Sequence, residues 1–308
     1  MPVTARTPPV ADDENLTDMV WANADRFAHA VALRRPDEHS WLDVTTTAFA
    51  AAVHARAAGL IGTGAAAGDR VPTGGVVGYE RLVLWFAVWA VGGIADPTTA
   101  AGPAAEAAGT AGTDRAAVRG RSLAVRAADP ALVGADSVHS HGELLALARG
   151  TLARHAELIR PGNSLLVEAI EPWSPVAVGV ELAGVYARAT VGHLCDGDPL
   201  AELGGFRPTA VLAGPAVVGE VHRHLRKLAA GRGRDATAEE LAIAYGRTVA
   251  AGRPDPALRL RAAIAGRLAG NPVRAALGGR CLAVFATSPV PPRLADLLRG
   301  TGVALHTV

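Results

Sequence analysis

Residues Ser164–Ala213 read SLLVEAIEPWSPVAVGVELAGVYARATVGHLCDGDPLAELGGFRPTAVLA, and the fold class turns on this stretch. The apolar run Ser164–Ile170 has the length and composition of a buried strand. Val176–Tyr186 fits an apolar helix, and Thr190–Leu194 and Thr209–Ala213 are two further short apolar runs. Strands alternating with helices predict an α/β fold, with mainly parallel sheets flanked by helices. Upstream, Leu16–Ala30 has near-helical apolar spacing, and Val31–Arg34 and Ser40–Val44 read as short strands. Thr45 is placed to N-cap a helix that runs through Leu60 and ends at Gly62 and Gly64. Tyr79–Val91 reads as a buried helix carrying Trp85, Phe86 and Trp89. Arg70–Val76 should be a strand, although Pro72, Gly74 and Gly75 sit badly in one.

Downstream, a helix is expected at Gly142–Leu158. Pro215–Leu277 reads as helical, with breaks at Gly231–Asp235, Gly252–Pro256 and Gly270–Pro272. Strand Cys281–Thr287, helix Pro291–Arg299 and strand Val303–His306 close the chain. Thr98–Arg121 is an Ala/Gly/Thr run without periodicity, whose only large apolar residue is Val118. These readings divide the chain into a first α/β part (1–97), an eroded Ala/Gly-rich linker (98–130) and a second α/β part (131–308). The second part ends early, since a parallel strand usually leads into another crossover.

Composition narrows the function. The chain has 308 residues, 19% of them charged, and 30 basic against 29 acidic side chains leave a formal charge of +1. That balance offers no electrostatic footprint for nucleic acid or an anionic membrane. Lys227 is the sole lysine, so chemistry that needs one has a single candidate. Cys195 and Cys281 lie far apart, which fits a reducing compartment better than a disulfide scaffold. Met1–Asn15 has no apolar signal-peptide core, and the apolar stretch Leu82–Ala95 falls short of the ~20 residues that span a bilayer. The expectation is a cytoplasmic protein without a transmembrane segment.

Three i,i+2 pairs have the chemistry of zinc ligands: His139/His141, His193/Cys195 and His222/His224. On a strand such a pair faces one way, but His222 and His224 fall in a predicted helix, where they diverge by ~200°. Surface or capping histidines account for these positions, and no metal site is expected. Ser137 and Ser140 beside His139 and His141 have the residue types of a nucleophile and base. Neither serine sits in a G-x-S-x-G elbow, and no acidic residue is fixed by spacing to orient a histidine.

The order of several motifs resembles one family. Ser40-Trp41-Leu42-Asp43-Val44-Thr45, Gly59-Leu60 and Gly68-Asp69-Arg70-Val71 resemble the entry to adenylate-forming (AMP-binding) acyl ligases. Trp85, Trp89, Gly92-Gly93 and Pro97 continue the pattern. Ala189-Thr190-Val191-Gly192-His193, Phe206-Arg207-Pro208-Thr209 and Arg274-Ala275-Ala276-Leu277-Gly278-Gly279-Arg280 are similar to the long-chain fatty-acyl-CoA synthetase branch. The resemblance covers nearly the whole chain. It implies the fold of that family's N-terminal domain, without the small C-terminal domain, and a chemistry in which ATP and a fatty acid give an acyl-adenylate and then a thioester.

The motifs that carry this chemistry in the family depart here. The phosphate loop T-S-G-T-T-G-x-P-K should precede Val138, where Ala131–Ser137 offers one glycine, one hydroxyl and no lysine. Ser137, His139, Ser140 and His141 are what remains of that region. The turn that begins S-G-G-A-P-L in relatives reads Ala286-Thr287-Ser288-Pro289-Val290-Pro291, and L-P-L-A-H is matched by Ala169-Ile170-Glu171-Pro172-Trp173-Ser174-Pro175. By that resemblance Trp173, Ser174, Thr287 and Ser288 are the acyl-pocket candidates. The Y-G-x-T-E motif, the hinge and the family's catalytic lysine lie beyond the part that is matched.

Two readings follow. The first is a non-catalytic, acyl-CoA-synthetase-like scaffold that needs no cofactor and binds an acyl ligand or another biosynthetic enzyme. The alternative is an AMP-forming fatty-acyl ligase, with an altered site or one completed by another chain, which would use ATP and Mg²⁺.

Overall fold

The computed structural model describes residues 9–37, 40–103, 115–134, 137–168, 174–194, 197–230, 235–269 and 272–308. The chain forms two compact units: Met1–Gly162 with Ala169–His193, and Asn163–Glu168 with Leu194–Val308. Both are α/β, as expected.

In the first unit, α1 (Asp18–Arg26) leads to β1 (Val31–Asp37) and β2 (Ser40–Thr45). These strands pair antiparallel, with Arg34 opposite Asp43. Thr45 caps α2 (Thr46–Gly62), its hydroxyl accepting the Ala48 N–H at 3.1 Å. A four-stranded sheet has the order β3 (Arg70–Gly74), β4 (Ile94–Ala100), β5 (Pro130–Val133), β6 (Val138–Ser140). Its pairings are parallel except for β6, which turns back on β5. Pro72 and Gly74 fit because the strand lies at the sheet edge, where proline costs no ladder bond, while Gly75 falls past its end in a left-handed conformation, φ +83°, so the expected strand stops two residues short. The register slips between Pro72 and Gly74, and a Cβ at Gly74 would stand 2.7 Å from the Pro97 carbonyl oxygen.

The core of this unit is α3 (Gly78–Ala90), buried continuously from Leu82 to Ala90. Phe86 packs edge-on against Phe49 and Trp89, at centroid distances of 5.7 and 5.0 Å. The buried indoles satisfy their N–H groups at two strands, Trp85 at the Thr73 hydroxyl (3.2 Å) and Trp89 at the Ala131 carbonyl (2.7 Å). The remaining elements are α4 (Arg115–Ala124), α5 (His141–His155), α6 (Pro175–Ala187) and β8 (Thr190–His193), the last pairing parallel with β1.

The stretch expected to be a featureless linker therefore holds the end of β4 and the helix α4; residues 104–114 lie outside the described residues. Periodicity did not reveal α4 because polar groups anchor it as much as apolar ones. Val118 is fully buried, and Ser122 joins a buried chain of hydroxyls. The Trp21 indole donates to Ser122 Oγ at 3.0 Å, Ser122 and Thr17 share a bond of 2.6 Å, and Thr17 Oγ1 donates to Asn15 Oδ1 at 2.6 Å. Thr17 has one hydroxyl proton and gives it to Asn15, so Ser122 is the donor to Thr17.

The second unit carries β7 (Ser164–Val167), β9 (Ala210–Ala213), β10 (Ala283–Ala286) and β11 (Ala304–Thr307), all pairing parallel in the order β11-β10-β9-β7. Its helices are α7 (Pro199–Phe206), α8 (Pro215–Ala230), α9 (Asp235–Ala250), α10 (Pro256–Ala269), α11 (Pro272–Ala276) and α12 (Pro292–Gly300). The backbones of α9 and α12 approach closely at Gly246 and Gly300: a Cβ at either would run into the backbone of Asp296 or Ala242. Of the expected helix breaks, 231–234 and 270–271 fall outside the described residues, while Gly252 ends α9 in a left-handed conformation, φ +68°. Among the described residues, no helix is long and apolar enough to cross a membrane.

Replacing Ser122 with Ala removes the acceptor of the Trp21 indole and the donor to Thr17. This should destabilise the first unit by about 1–3 kcal/mol, read as a lower urea midpoint by tryptophan fluorescence.

Candidate functional site

The four residues Ser137, His139, Ser140 and His141 occupy three different environments. β5 and β6 form a tight hairpin in which Val133 pairs with Val138, and the Gly134 N–H donates to the Ser137 carbonyl at 2.6 Å. Ser137 is exposed on this hairpin, with Oγ 3.0 Å from His139 Nε2. The other nitrogen of that ring, Nδ1, lies 3.5 Å from Glu143 Oε2.

Ser140 does different work. Its hydroxyl accepts the Glu143 N–H at 3.2 Å, while Glu143 accepts the Ser140 N–H at 3.0 Å, a complete capping box that starts α5. His141 then turns into the core, fully buried. Its Nδ1 accepts the Leu16 N–H at 3.2 Å and its ring packs edge-on against Trp89, 6.2 Å between centroids. Burial pushes its imidazole down to about 4, with the Asp129 charge acting in the opposite sense, so the ring is neutral near pH 7. The i,i+2 pair His139/His141 is thereby separated, because α5 begins between them.

The acyl-pocket candidates are dispersed as well. Trp173 lies outside the described residues. Ser174 precedes α6 half-buried, its hydroxyl making no cap bond. The N–H and hydroxyl of Thr287 both donate to the Ala213 carbonyl, at 3.0 and 3.3 Å, tying the end of β10 to β9. Ser288 Oγ is buried and meets no hydrogen-bond partner among the described residues.

Among the buried acids, Glu181 and Glu168 escaped the sequence reading. In the first unit, Arg81 Nη2 lies 2.7 and 2.8 Å from the two Glu181 oxygens, and His193 Nε2 lies 2.6 Å from Oε1. The Arg81 side chain is 14% exposed and that of Glu181 only 3%. Burial alone would raise the Glu181 carboxyl, but the Arg81 charge and the His193 hydrogen bond outweigh it and hold the group at about 2, against an ordinary 4.5. In the second unit, Glu168 at the end of β7 faces the N-terminus of α8. Its oxygens accept the N–H groups of Gly214 (2.7 Å), Ala216 (3.0 Å) and Val217 (3.0 Å). A side chain on Gly214 would collide with that carboxyl group.

Of the His193/Cys195 pair, Cys195 lies outside the described residues; Cys281 is free and buried, its thiol pushed up to about 12 by burial. Among the described residues, no three His, Cys, Asp or Glu side chains gather where a metal ion could be held.

No protein-family model matches the chain. Curated relatives do. The long-chain-fatty-acid–CoA ligases FadD15 of Mycobacterium tuberculosis and Mycobacterium bovis are each 28% identical over 365 residues, covering 96% of this chain. The chain resembles these long-chain-fatty-acid–CoA ligases along nearly its whole length. It spans 60% of the length of these relatives. The match runs longer than the 308 residues of the chain, so it passes over segments of the relatives that this chain does not have.

Solved structures agree on the fold. IdnL1 is 18% identical with a TM-score of 0.61, over 98% of this chain and 61% of its own. The fatty acyl-adenylate ligase from L. pneumophila, solved with acyl adenylate and pyrophosphate, is 13% identical with a TM-score of 0.56, over 92% and 52%. The N-terminal subdomain of NpsA from Klebsiella oxytoca is 12% identical with a TM-score of 0.58, over 96% and 73%.

The Glu181 network sets a pH dependence. A carboxyl group whose folded value lies below its ordinary 4.5 contributes stability that is fully present above that pH and is lost as pH falls through about 2. Glu181→Gln should flatten this acid limb in pH-dependent urea titrations. Arg81→Met leaves the buried carboxylate without its main partner and should cost about 3–5 kcal/mol at neutral pH.

Proposed function

We propose that this chain is a non-adenylating member of the superfamily, one that keeps the α/β fold as a binding platform for an acyl chain or another biosynthetic enzyme. The observation that carries this reading is the β5–β6 hairpin. Relatives are expected to place a glycine- and hydroxyl-rich phosphate loop before the segment that begins at Val138. Here the Val133–Val138 pairing leaves only Gly134–Ser137 as the connection, with no lysine. A turn that short cannot wrap a polyphosphate with backbone N–H groups, and electrostatic stabilisation of the phosphoryl charge is usually the largest catalytic contribution in such reactions. The apolar interior is meanwhile intact in both units. This supports a fold kept for binding.

The second reading is an acyl-activating ligase with an altered site or one completed by another chain, using ATP and Mg²⁺. It is favoured by the ligase activity named for the FadD15 relatives. ATP–pyrophosphate exchange with Mg²⁺ and short to long fatty acids, beside an active full-length ligase, separates the two. No exchange above background is expected, together with saturable binding of a fluorescent fatty acid that unlabelled acids displace. Exchange above background would move the chain to the ligase class. Absence of both exchange and fatty-acid binding would remove the acyl-platform reading.

A further inference from the structure

The geometry points to Ser137 as a nucleophile for acyl transfer, activated by His139 and Glu143 at the β5–β6 hairpin. A serine hydroxyl becomes nucleophilic when an imidazole accepts its proton and an acid orients that imidazole from the far side. The three side chains stand in that order. His139 directs Nε2 at Ser137 Oγ, 3.0 Å away, and Nδ1 towards Glu143 Oε2, 3.5 Å away. The longer second distance is in the range such sites show before a substrate is bound.

The surroundings suit the role. Ser137 is exposed, so an acyl donor can reach it, whereas the His139 side chain is only 19% exposed and so partly shielded from water. The base is carried on β6, and Glu143 is held by its capping bond to the Ser140 N–H in the first turn of α5. Both therefore sit on regular elements and not on a free loop. Gly134 lies alongside without a side chain: a Cβ there would approach Ser137 Oγ to 3.2 Å and His139 Nε2 to 3.5 Å. The absence of that methyl group leaves space beside the reacting atoms.

The step balances with no added cofactor. Ser137 Oγ attacks the carbonyl carbon of an activated acyl ester, and its proton passes to His139 Nε2. The bond to the leaving oxygen breaks, and that oxygen departs with the proton, leaving acyl-Ser137. Water then attacks the acyl group by the same route, releasing a carboxylic acid and restoring the hydroxyl. Nothing here depends on adenylation or on an acyl pocket, so this assignment stands or falls separately from the platform reading.

A fluorophosphonate probe on the full chain tests it. The Oγ–phosphorus bond forms, the phosphorus–fluorine bond breaks, and fluoride leaves. Mass spectrometry should find the label on Ser137 and find none there in Ser137→Ala, whose exposed position leaves folding intact. His139→Ala should be labelled about 100-fold more slowly or worse and regain part of the rate with added imidazole, a rescue that a folding defect would not show. Glu143→Gln keeps an acceptor for the Ser140 N–H; it should label about 10²- to 10⁴-fold more slowly at an unchanged melting temperature, and p-nitrophenyl butyrate hydrolysis should follow the same order. Labelling of the wild type no faster than that of Ser137→Ala, or labelling of Ser137 that is indifferent to His139→Ala, would overturn the assignment.

Discussion

A guanidinium at the start of a helix that is buried along the rest of its length has to find its counter-charge inside the protein, and Arg81 of α3 finds it in Glu181. Much of the first unit is arranged around that requirement. The pair joins α3 to α6, and His193 at the end of β8 shares the same carboxyl group. One turn along α3, Trp85 lies beneath the guanidinium, 4.8 Å from ring centroid to Cζ, and reaches across to Thr73 in β3. One further turn brings Trp89 to the carbonyl of Ala131 in β5. An ion pair of this kind contributes little net stability beside apolar packing of the same volume. Its effect is to penalise every arrangement that separates its members.

Much of this fold could be read from the residues, because local signals there had local causes. Thr45 caps α2 in the structure as its hydroxyl and position suggested. The apolar run at Tyr79–Val91 became α3, displaced by one residue at each end. The strand read at Arg70–Val76 forms over Arg70–Gly74 despite Pro72 and Gly74 because it is an edge strand, a property of sheet order that no local pattern carries. The helix α4 was missed for a related reason: its anchoring partners, Thr17 and Trp21, lie about a hundred residues away.

The site was less legible, and His139 and His141 show why. Two residues apart, they read as an i,i+2 pair of ligand-type side chains, yet one meets an exposed serine and the other disappears against Trp89. A usable signal was present. Ser140-x-x-Glu143 is the pattern of a capping box, and reading it would have started the helix at His141 instead of Gly142 and placed Glu143 within reach of His139. Glu168 and Glu181 left no such trace. An acid is shown to be buried only by the partners it meets, and Arg81 is 100 residues from Glu181 in the chain.

Glu168 has a consequence for anything that would dock on the second unit. The first turn of a helix, with its free N–H groups, is a place where dissolved anions settle. At α8 the position is taken by a side chain belonging to the same molecule, tethered through β7 and held by three hydrogen bonds. A visiting phosphate would compete against an occupant that never diffuses away, whose effective concentration is fixed by the backbone and not by the cell. It would also have to turn an acidic group out of a buried place. This helix end is thus a port closed from within.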